Sequence, residues 1–129
     1  MIEDLEKWFS DPKHGEDWQD TDLILADVEL LPRLKSYLDE PSAPDFKKQE
    51  VISALLELLE HDCPRDGGPD TACLAEDIRA TIKQHADIAE RTLPNLGLPN
   101  EIVLRGILGL PIPSGYPQWV VDAGHEHGV

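Results

Sequence analysis

Apolar residues recur at helical spacing through most of the chain, and the clearest run lies in its middle. From Asp45 to Asp62 the spacing predicts a helix with Val51, Ile52, Leu55, Leu56 and Leu59 on one face. A second helix is predicted from Thr71 to Leu93, stepping through Leu74, Ile78, Ile82, Ala86, Ala89 and Leu93. Between them lies Cys63-Pro64-Arg65-Asp66-Gly67-Gly68-Pro69, where two prolines lack backbone donors and a glycine pair favours a turn. Two apolar stripes joined by so short a loop are expected to pack as an antiparallel pair.

The flanking segments follow the same logic. Residues 2 to 10 suit a short helix with Ile2, Leu5, Trp8 and Phe9 on one side, stopped by Asp11-Pro12-Lys13-His14-Gly15. From Asp22 to Asp39 the pattern is helical but interrupted. Leu23, Ile24 and Val28 form one cluster, and Leu31, Leu34, Tyr37 and Leu38 form another. Pro32 falls between them and predicts a kink or two short helices, the second starting near Leu30. Ser42 stands three residues before Asp45, the spacing of a capping box, and is the expected N-cap of the central helix.

Past the turn-rich Pro94–Pro99 connector, Asn100 is positioned to cap a helix from Glu101 to Leu108 that buries Ile102, Val103, Ile107 and Leu108. Gly106 within it suggests close approach of a neighbouring helix. Gly109 to Gly115 reads as extended. Tyr116 to Ala123 suits a last helix with Trp119 and Val120 facing inward, ended by Gly124. No alternating strand pattern persists. The expected fold is a single all-α domain over residues 1–129, a compact bundle of five or six helices around the central antiparallel pair. In architecture it resembles a short HEAT-like stack, without a clean repeat.

Charge changes this picture more than composition does. The 40% hydrophobic content is ordinary for a globular chain, but 26 acids against 11 bases give a net charge of −15. That excess disfavours direct binding to nucleic acid or to an anionic membrane and favours a cationic protein partner. The longest uncharged run, Gly106 to Val121, holds three prolines and is a poor membrane span. No secretory signal is evident at the N-terminus, so a cytoplasmic protein with Cys63 and Cys73 reduced is expected. An exported chain would have the option of bridging them.

Reactive chemistry leaves little trace. His61, Asp62, Cys63, Cys73 and His85 are of metal-binding types, but no Cys-x-x-Cys or helical His pair organises them, and the intervening residues read as a loop. The five serines lack a Gly-x-Ser-x-Gly context, and Gly67-Gly68 is no phosphate loop. No catalytic residue, metal ligand or cofactor is assigned, and no enzymatic activity is expected. Lys47 and Lys48, the only adjacent bases, read as a solvated first helical turn.

The positive signal is acid beside aromatic in the N-terminal third. Residues 1 to 29 carry ten acids and two bases, a net −8 of the total −15. Glu16, Asp17, Asp20 and Asp22 surround Trp18, while Glu3, Asp4 and Glu6 accompany Trp8. Trp8, next to Phe9 on an apolar face, reads as core; Trp18, without apolar neighbours, is the candidate binding hot spot. In size, acidity and helical character the chain resembles the immunity proteins of bacterial toxin–immunity pairs. That resemblance implies a non-catalytic inhibitor whose acidic face occludes the active site of a basic toxin. Two other interaction classes fit the same sequence: an acidic nucleic-acid mimic that inhibits a DNA-binding protein, and a HEAT-like adaptor subunit.

Overall fold

A computed structural model describes residues 2–11, 25–61, 69–97, 100–111, 114–119 and 122. The described chain is all-α. Its helices are α1 (Ile2–Ser10), α2 (Leu31–Leu38), α3 (Asp45–His61), α4 (Pro69–Gln84), α5 (Ala86–Thr92) and α6 (Asn100–Leu108). Short 3-10 turns at Val28–Leu30 and Leu93–Asn95 precede α2 and follow α5.

Helix α3 is the hub of the bundle. It packs against α2, α4, α5 and α6, most extensively against α5. Val51, Ile52, Ala54, Leu55, Leu56, Leu58 and Leu59 are all buried, so most of its circumference is core. Leu31, Leu34, Tyr37 and Leu38 of α2, Ile78 and Ile82 of α4, Ile88 and Ala89 of α5, and Val103, Leu104 and Ile107 of α6 close around it.

Local chemistry explains several boundaries. Asp27 accepts a hydrogen bond from the Glu29 N–H at 3.0 Å and starts the 3-10 turn. Pro32 lies in the first turn of α2, where its missing donor has no intrahelical use, so the proline begins the helix. Val28, placed in an apolar cluster by its spacing, is 44% exposed because the 3-10 turn rotates it outward. The expected capping role of Ser42 is not realised. Its hydroxyl donates to Glu40 at 2.9 Å, and the Pro44 carbonyl accepts from the Lys47 and Lys48 N–H groups of α3.

The long helix expected to reach Leu93 is two helices. His85 adopts φ −118° and ψ 43°, outside the helical region. Its Nδ1 lies 3.0 Å from the Thr81 carbonyl oxygen and its Nε2 lies 2.9 Å from Asp39 Oδ1 at the end of α2. The side chain thus ties the break to a neighbouring element, and α5 beyond it packs against α3.

At the other end of the sequence, α6 stops at Gly109, whose φ of +73° suits only a residue without a Cβ. Leu110 N–H donates to the Arg105 carbonyl at 2.8 Å and Gly109 N–H to the Gly106 carbonyl at 3.2 Å, the paired bonds of a Schellman cap. Half-buried Gly106 lines a surface groove with Arg79, Lys83 and Ala86. Trp119 departs from expectation: it is 63% exposed, and the segment is anchored instead by Tyr116, whose hydroxyl donates to Glu101 at 2.6 Å.

Candidate partner-binding surface

Helix α1 carries the start of the acidic N-terminal third and is attached to the bundle mainly through side chains. Trp8 is 1% exposed, as its apolar setting predicts. Its ring meets Phe9 at 5.2 Å and Tyr37 at 5.3 Å between centroids, and Phe9 meets Tyr37 at 5.3 Å, closing an aromatic triangle between α1 and α2. The Arg33 guanidinium lies 4.9 Å from the Phe9 centroid and bonds Glu6 at 3.0 Å, so one side chain spans the seam.

The strongest fixture was not foreseen. Lys47, expected in solvent, is fully buried. Its ammonium donates to the carbonyl of Trp8 and, at 2.6 Å, to that of Asp11, while lying 4.6 Å from the Trp8 ring centroid. Carbonyls at a helix C-terminus lack intrahelical donors and form the negative end of the helix dipole, so a cation is well matched there. One signal in the sequence pointed to this. Lys47 stands one turn ahead of Val51 and continues the buried Val51, Leu55, Leu58 line of α3.

Beside this anchor, a small pocket of about 140 Å³ opens between α1 and α2, lined by Phe9, Arg33, Ser36, Tyr37 and Glu40. Burial in first place, and the nearby Glu40 carboxylate in second, hold the Tyr37 phenol above its ordinary value.

Of the acidic residues singled out from sequence, Glu6 is exposed and paired with Arg33. Glu3 and Asp4 lie in α1, two turns or less from that pair. Glu16, Asp17, Trp18, Asp20 and Asp22 lie outside the described residues, as do Cys63 and the loop around it. Cys73 is an exposed free thiol. No group of three metal-ligating side chains converges among the described residues.

Bases are drawn into internal contacts. Arg33 pairs with Glu6, Lys35 with Asp77 at 2.9 Å, Arg91 with Asp45 at 3.2 Å, and Arg105 faces Glu101 at 3.9 Å. Among the side chains whose burial is described, the only buried charged one is a lysine, and every carboxylate is exposed or half-buried. No described helix is long and apolar enough to cross a membrane. Compared with protein-family models, curated proteins and solved structures, the chain matches none of them.

Proposed function

We propose that this protein is a non-catalytic inhibitor of a cationic protein, in the manner of an immunity protein that covers the active site of a basic bacterial toxin. The observation that carries this reading is that every carboxylate whose burial is described stays at the surface of a chain of net charge −15. A surface of that sign accelerates encounter with a positive cleft and rejects nucleic acid. The Lys47 ammonium fixes the end of α1, after which the chain runs into Glu16, Asp17, Trp18, Asp20 and Asp22. In this reading the acids steer, Trp18 anchors, and the bundle serves as a rigid mount in the cytoplasm.

The test is calorimetric titration against the product of the neighbouring reading frame. Affinity should fall steeply as salt rises. The triple reversal Glu16→Lys, Asp17→Lys and Asp20→Lys should weaken binding by tenfold or more, on the order of several rim charges acting together. Binding that ignores both salt and the triple reversal sinks the proposal.

A further inference from the structure

One strip of the central helix escapes the core. Phe46, Gln49, Glu50 and Ser53 follow i, i+3, i+4, i+7 spacing on α3, and all four are exposed or half-buried. Across from them stand Thr92, Asn95, Leu96, Gly97 and Asn100, from the end of α5 to the start of α6, and the two sides enclose a groove of about 350 Å³.

Its hydrogen-bonding capacity is only partly used. The Asn95 amide donates to Gln49 Oε1 at 2.9 Å and the Asn100 amide to Glu57 Oε1 at 3.0 Å, which leaves each carboxamide half engaged. Gln49 Nε2, Asn95 Oδ1 and Ser53 Oγ make no further hydrogen bond among the described residues. Asn100 Oδ1 is out of reach of solvent and accepts from no donor among the described residues. A buried acceptor without a donor is unfavourable, and most such groups in folded proteins find a partner.

We propose that this groove holds an extended, cationic segment of another polypeptide. Carboxamides offer a donor and an acceptor side by side, the complement of a main-chain amide, and here three of them line one channel. Phe46, 43% exposed, supplies an apolar surface at one end. The carboxylate of Glu50 on its wall, within a chain of net charge −15, sets the sign of the occupant. From Phe46 to Ser53 the strip spans roughly 10 Å at about 1.5 Å per residue, room for about three extended residues at about 3.3 Å each. The assignment is independent of the N-terminal acids.

The experiment uses the full chain and a fluorescein-labelled ten-residue peptide alternating lysine and threonine, followed by anisotropy. A second peptide of the same sequence and charge carries N-methyl groups on alternate amides. The parent peptide should bind, and N-methylation should weaken it about tenfold by removing main-chain donors. Gln49→Ala and Asn95→Ala, both accessible positions, should each weaken it about fivefold with unchanged melting temperature. The triple reversal at Glu16, Asp17 and Asp20 should keep the sensitivity to N-methylation, which separates this groove from the proposed toxin-facing surface. Equal binding of the two peptides, indifference to both carboxamide substitutions, or no binding of the parent peptide at millimolar concentration each overturns the proposal.

Discussion

Lys47 makes the seating of α1 depend on one side chain. Lys47→Met keeps much of the volume but strands the carbonyls of Trp8 and Asp11, and should cost about 2–4 kcal/mol in chemical denaturation. Lys47→Ala adds a cavity and should cost about 3–5 kcal/mol. The two tyrosines make a second residue-level prediction. The hydrogen bond to Glu101 first, then burial and the same carboxylate's charge, raise the Tyr116 phenol above its ordinary 10.0, against a smaller opposing effect of Arg105; Tyr37 is raised as well. A raised folded value stabilises the fold at pH below the unfolded value, and that stability is lost as pH climbs through the folded one. Stability should therefore decline above about pH 10, with phenolate absorbance appearing later than in the unfolded chain, and Tyr116→Phe should shrink the decline. Single side chains were the least legible level of the sequence. Residue type argued for a solvated Lys47 and an inward Trp119, and packing reversed both. Trp8 was readable because type and neighbours agreed.

At the level of elements, α3 and the cap of α6 are the sensitive points. Leu55→Ala, in the fully enclosed middle of the hub, should cost about 2–5 kcal/mol. Gly109→Ala should cost about 1 kcal/mol, since its backbone sits at positive φ although the space beside it is open. Thermal and denaturant melts distinguish both from Arg33→Ala, whose exposed ion pair should contribute less than about 1 kcal/mol. Most elements were legible because spacing and punctuation coincided. Ile2, Leu5 and Trp8 followed by Asp11-Pro12 marked α1, and Pro32 marked the start of α2. The break at His85 was not legible. Apolar residues continue at helical spacing across it, and what turns the chain is a contact with Asp39, 46 residues away. Ser42 misled for a related reason: its side chain found a partner in Glu40 instead of the nearest helix end.

Across the whole molecule, uncompensated charge is the governing term. Between about 0.01 M and about 1 M salt the screening length falls from about 30 Å to about 3 Å, so self-repulsion at −15 should fade and the melting temperature should rise. A falling melting temperature would show that internal ion pairs such as Lys35–Asp77 outweigh the repulsion. The segregation of acids toward the N-terminus was visible in the sequence; the burial of Lys47 was not, because it requires a helix from one part of the chain to end over another. The groove along α3 was likewise hidden. Phe46, Gln49 and Ser53 look unremarkable until the α5–α6 connection faces them.

The sealed ammonium also gives the protein a built-in reporter. Amine-selective acylating reagents modify lysines in proportion to their access to water, so Lys7, Lys48 and Lys83 should be labelled within the first exposure and Lys47 last. The rate at which mass spectrometry finds a label on Lys47 would then measure how often α1 lifts off, with and without a bound partner.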